Sequence, residues 1–118
     1  MHFKSKYITD DVILLYGFRE KNKFSMIMVL NVKDDETEIH GFLSIKSMDF
    51  IEFGQLFRYL KKILKTNYIV GDVLLEHSKV YKRFLKCVDC KKIKSFDGLD
   101  CERLKIDIRS KLKPFQSV

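Results

Sequence analysis

Cys87-Val88-Asp89-Cys90 is a C-x-x-C, and Cys101 follows it. That spacing can serve zinc or thiol redox chemistry, and the two make different demands. A structural zinc needs four ligands held tetrahedrally. No second C-x-x-C and no His-x-x-x-His accompanies the pair, so His77 would have to complete the set from the other end of a helix. Redox use needs the pair at a helix N-terminus, where the dipole lowers the thiol pKa. Here the pair falls at the end of a helical pattern. The reading is therefore free, reduced thiols and no metal site. An odd cysteine count without a visible secretory signal also argues against a disulfide framework.

A second constellation is basic. Lys61, Lys62 and Lys65 are followed by Lys79, Lys82, Arg83 and Lys86, then by Lys91, Lys92 and Lys94, with Tyr59, Tyr68, Tyr81 and Phe84 interleaved. Helical spacing sets Lys79, Lys82, Arg83 and Lys86 on one stripe. Such a stripe can follow a nucleic-acid backbone, dock an acidic protein or face water. No RNP, zinc-finger or helix-turn-helix pattern accompanies it, so base-specific readout has no support. The charge is lopsided: residues 1–59 sum to −1 and residues 60–118 to +8, together the net +7 of the chain. A field confined to one half can attract phosphate, in nucleic acid or in a cofactor such as coenzyme A.

The elements that must position these residues belong to one domain. With 118 residues, 46% hydrophobic, and only one Pro and five Gly, the chain can build a single core and is neither disordered nor collagen-like. The longest apolar runs, Val12 to Tyr16 and Met26 to Leu30, are far short of the ~18 residues a bilayer span requires. The first residues lack an apolar h-region of ~7–15 residues, so no secretory signal is visible. The expectation is a soluble protein of the cytoplasm or of a virion, with no membrane partner.

Candidate strands run from Asp11 to Phe18, Phe24 to Val32 and Glu38 to Ser44 or Ile45. A five-residue polar loop, Arg19 to Lys23, and an acidic turn, Asp34-Asp35-Glu36, join them into a meander. Most of their positions are apolar on both faces, which predicts a sheet covered on both sides. The period then changes. Phe50, Phe53, Phe57, Leu60 and Leu64 mark an amphipathic helix over Asp49 to Lys65, capped by Ser47 or Asp49, with Glu52 completing a capping box. Tyr68 to Leu75 reads as a buried strand and Ser78 to Val88 as a second helix. Lys91 to Phe96 and Glu102 to Arg109 read as strands about the turn Asp97-Gly98. Residues 111–118 are expected to be a flexible tail. The order β-β-β-α-β-α-β-β gives an α/β (α+β) class with a mixed, mostly antiparallel sheet.

That order resembles the GCN5-related N-acetyltransferase (GNAT) superfamily, over residues 8–110 of a single 1–118 domain and without the family's N-terminal helices. Leu14-Leu15-Tyr16-Gly17-Phe18 and Ser78 to Lys86 carry the likeness, which is to a divergent phage branch, the internal-virion or head-assembly proteins of short-tailed phages. The resemblance implies an acetyl-CoA site built on Arg/Gln-x-x-Gly-x-Gly/Ala before the long helix, where backbone N–H groups hold the diphosphate. In Ile51-Glu52-Phe53-Gly54-Gln55-Leu56 only Gly54 matches, and Glu52 has the wrong sign. By the same resemblance Ser44, Ile45 and Lys46 would hold the pantetheine, in a split between the strands Glu38–Ile45 and Tyr68–Leu75. Glu38 or His40 would accept the amine proton. The family's tyrosine acid falls on Leu85, which leaves Tyr81 a turn earlier as the nearest phenol. The bland alternatives are a packing Tyr81 and a solvated Glu38 and His40.

The expectation is thus a small GNAT-like protein without acetyltransferase activity and without cofactor, which acts as a binding or assembly protein on a protein partner, with Lys79, Lys82, Arg83 and Lys86 as its contact stripe. The alternatives are an acyl-CoA-dependent N-acyltransferase with acetyl-CoA as ligand, and a nonspecific nucleic-acid-binding module.

Overall fold

The computed structural model describes residues 1–109 other than Asn22, Ser47 and Phe96. Its elements follow the order β1 (His2–Tyr7), β2 (Val12–Glu20), β3 (Lys23–Lys33), β4 (Glu36–Ser44), α1 (Phe50–Ile63), β5 (Tyr68–Leu74), α2 (Leu75–Phe84), β6 (Cys87–Lys94) and β7 (Asp100–Asp107). The strands form one sheet in the order β1-β2-β3-β4-β5-β7-β6. Every neighbouring pair is antiparallel except β4 and β5, which are parallel. The mixed, mostly antiparallel α+β architecture is the expected one.

One strand was not anticipated. In β1 only Phe3 supplies an apolar inward position before Tyr7, so the period of two is faint. Phe3 nevertheless stacks 5.3 Å from the Tyr59 ring of α1, and the Ser5 and Tyr59 hydroxyls share a 2.8 Å hydrogen bond. Residues 8–11 join β1 to β2 directly. The Thr9 hydroxyl accepts from the Asp11 and Val12 N–H groups there, and the Ile8 N–H donates to the Val12 carbonyl. No helix separates the first two strands.

The core lies on one face of the sheet. Ile13 and Leu15 of β2, Met28 and Leu30 of β3, Ile69 of β5 and Leu104 of β7 meet Leu56, Phe57 and Leu60 of α1. Helix α2 joins the same side, with Tyr81 stacked 5.7 Å from Phe53 and Phe84 4.9 Å from Phe50. On the opposite face Leu14, Tyr16, Ile27 and Val29 are half-buried, and no helix among the described residues covers them. A sheet covered on both sides is thus not observed. The crossovers β4-α1-β5 and β5-α2-β6 advance in the same direction across the sheet, so their common handedness brings both helices to one face.

Helix α1 starts where the capping box places it. The Glu52 N–H donates to Asp49 Oδ1 at 2.8 Å and the Asp49 N–H to Glu52 Oε1 at 3.2 Å. Ser47, the other proposed cap, and the tail 111–118 lie outside the described residues, as does Phe96 at the end of the strand expected over Lys91 to Phe96. Helix α2 occupies Leu75–Phe84 in place of Ser78 to Val88, because β5 passes into it without a linker and buried, extended Leu85 ends it. Cys87 and Cys90 therefore stand on β6, not at a helix end. Gly98, at φ 84°, makes the turn expected of Asp97-Gly98, a conformation open to glycine at little cost.

Candidate functional site

Strands β4 and β5 lie side by side for only three pairs, Glu36–Tyr68, Thr37–Ile69 and Glu38–Val70. Beyond them β4 continues to Ser44 along β3, and β5 continues to Leu74 along β7, so their facing edges part. The register explains the parting. Leu30 opposes Ile39 and Val29 opposes Gly41, which leaves His40 as an extra residue, and a bulge of this kind bends its strand. At the apex the chains are close. A Cβ on Gly71 would lie 3.2 Å from Ile39 Cδ1, so glycine permits the approach from which the wedge opens. Exposed Phe42, Leu43 and Ile45 border it on the β4 side, and Leu74 and Leu75 at the end of β5. The split is where the family resemblance located the thioester arm.

The chemical candidates do not converge. Glu38 Oε2 lies 3.7 Å from His40 Nε2 and 3.4 Å from Lys33 Nζ, so these two residues do come together at the apex. Glu38 opposes Asn31, on the sheet face away from the helices. Tyr81 is on α2, at the other face of the sheet and packed on Phe53, so the sheet separates it from Glu38 and His40.

The start of α1 is closed by its own side chains. Asp49 and Glu52 cap the first turn, and Arg19 of β2 grips Glu52 with two hydrogen bonds, Nε to Oε2 at 2.7 Å and an Nη to Oε1 at 3.0 Å. The same Nη group donates to the Lys46 carbonyl at 3.0 Å. Hydrogen bonding from Arg19 holds the Glu52 carboxyl below its ordinary value, and Glu52 in turn raises Arg19. The groups proposed for pantetheine are engaged as well. The Ile45 N–H donates to the Ser25 carbonyl at 2.9 Å, and the Ser44 hydroxyl donates to the Lys46 carbonyl. Gly54 is the fifth residue of α1, past the four N–H groups that a helix start leaves open. The residues present do not fit a coenzyme A diphosphate: two carboxylates occupy the positive end of the dipole. Sequence reasoning found Glu52 but missed Arg19, whose partner lies far along the chain. Its only local sign was a basic residue at the end of an apolar strand.

The basic stripe is not continuous. Lys82 Nζ lies 2.6 Å from Oε1 of buried Glu102 on β7, and this ammonium holds the Glu102 carboxyl below its ordinary value. Lys86 lies beyond the end of α2, which leaves Lys79 and Arg83 as the stripe's exposed cations on the helix. Further cations of the second half are paired: Lys94 with Asp100, Arg103 with Asp72, Lys105 with Glu36, and Arg109 with Asp107. Cys87, Cys90 and Cys101 form no disulfide. Among the described residues no group of three or more His, Cys, Asp and Glu could hold a metal ion, and no helix is long and apolar enough to cross a membrane.

A sheet that splays between two parallel inner strands, with a helix after each, is a fold this chain shares with solved acetyltransferases. The aminoglycoside 6'-acetyltransferase type Ii superposes with a TM-score of 0.60 at 13% identity, over 91% of this chain and 73% of that one. The aminoglycoside 6'-N-acetyltransferase from Enterococcus faecium gives 0.57 at 12% identity, over 93% and 80%. The ribosomal-protein-S18-alanine N-acetyltransferase from Escherichia coli gives 0.52 at 12%, over 91% and 72%. At such identities the likeness is one of fold. No protein-family model matches the sequence, and no curated protein does.

Proposed function

We propose that this GNAT-like domain acts by binding a protein partner and does not transfer acetyl groups. The observation that supports the reading is the occupied start of α1, where Asp49, Glu52 and Arg19 form a closed ion-pair cap. A helix N-terminus attracts an anion through open N–H groups and the dipole. With two carboxylates already there, a diphosphate would meet like charge and find the Asp49 and Glu52 N–H groups engaged. An assembly role of the phage-head type rests on the sequence resemblance alone.

A second reading, an acyl-CoA-dependent N-acyltransferase, is favoured by the split itself, whose facing strand edges have no strand partner among the described residues. The readings separate in an assay of thiol release. Acetyl-CoA incubated with the protein and with a polyamine, an aminoglycoside or a peptide α-amine should yield free thiol at the uncatalysed rate. Release that saturates in both substrates would establish the transferase.

A further inference from the structure

We infer that the free edge of β1 docks an extended acidic segment of a partner protein, which adds to the sheet as an outer strand. This surface lies at the opposite side of β4 from β5, and the inference stands whether or not the split takes a thioester.

β1 pairs with β2 on one side, and among the described residues no strand pairs with the other. Its outward N–H and C=O groups therefore form a ready template for another chain. A groove flanks that edge on each face of the sheet. The one facing away from the helices is about 390 Å³, floored by Tyr16, Phe18 and Phe24 and rimmed by Lys4 and Lys6. The one on the helix side is about 500 Å³, with Phe3 and Tyr59 beside Arg58 and Lys62. Side chains of an added strand would alternate between the two faces, beside Lys4 and Lys6 at the rim of one groove and Phe3 in the other.

Charge selects the occupant. Lys4, Lys6, Arg58 and Lys62 form no ion pair among the described residues, and no carboxylate lines either groove. The first half of the chain sums to −1, yet its edge strand presents an unneutralised basic rim. A second copy of β1 would set lysine against lysine, which is unfavourable across a strand pair. A nucleic acid could use the cations and the rings but would leave the strand's backbone groups without partners.

The test uses a short fluorescein-labelled peptide that alternates aspartate with valine, followed by anisotropy and by hydrogen exchange of the β1 amides. Saturable binding with added protection of β1 is expected. The double variant Lys4→Glu, Lys6→Glu should weaken it by about tenfold or more. Three results would overturn the inference: unchanged affinity in that variant, equal binding of a peptide of the same charge interrupted by prolines, or displacement by oligothymidylate at lower concentration. The proline comparison uses the unaltered protein, so the test is decisive even if the variant fails to fold.

Discussion

Asp49 and Glu52 direct their carboxylates at one helical turn, and each has a consequence that can be measured. Asp49→Ala removes the side chain that accepts from the Glu52 N–H and should cost about 1 kcal/mol by denaturant melting. Glu52 titrates below its ordinary value because Arg19 stabilises the carboxylate. A group with a depressed folded pKa contributes stability that is fully present above its unfolded value. That contribution is lost as pH falls through the folded one. Stability should therefore decline below about pH 4.5, the ordinary glutamate value, and Glu52→Gln should flatten that decline. An identical acid limb in the variant would show that the Arg19 contact contributes nothing in solution. Glu52 was legible as an acidic residue in the wrong place. Its grip by Arg19 was not, because a pairing between β2 and a distant helix depends on tertiary packing.

At the scale of elements, α1 was the most legible because five apolar residues at alternating spacings of three and four cannot lie on one side of a strand. Its contribution to the core is testable: Leu60→Ala, at a position 1% exposed, should cost about 2–5 kcal/mol. Helix α2 was displaced in the reading because Leu74-Leu75 suits either a strand or a helix, and β5 runs into it without a linker. That displacement conceals the role of Lys82, which reads as a surface cation and proves to be the counter-ion of buried Glu102. Removing one partner strands a buried charge. Lys82→Met should lower the melting temperature at neutral pH. The loss should shrink in acid, where Glu102 takes up a proton. A melting temperature unchanged at pH 7 would contradict the pairing. β1 escaped notice because lysines on an edge strand dilute its pattern, and those same lysines make the edge selective.

The whole molecule is a transferase-shaped sheet whose splay follows from local features, a bulge at His40 and a glycine at 71, visible in the register and not in the composition. The order of elements sufficed to suggest this scaffold. Composition overstated its free charge, because Lys82, Arg103 and Lys105 are matched by Glu102, Asp72 and Glu36, carboxylates distant in sequence and brought close by the fold. The most direct test is the melting temperature with acetyl-CoA at about a hundred times a plausible micromolar dissociation constant. A ligand bound only by the native state would then add about 2.7 kcal/mol, which is several degrees in a domain of this size. With the start of α1 closed by Asp49, Glu52 and Arg19, the expected result is no shift. A rise that saturates with acetyl-CoA, and that free adenosine diphosphate reproduces in part, would contradict the closed cap.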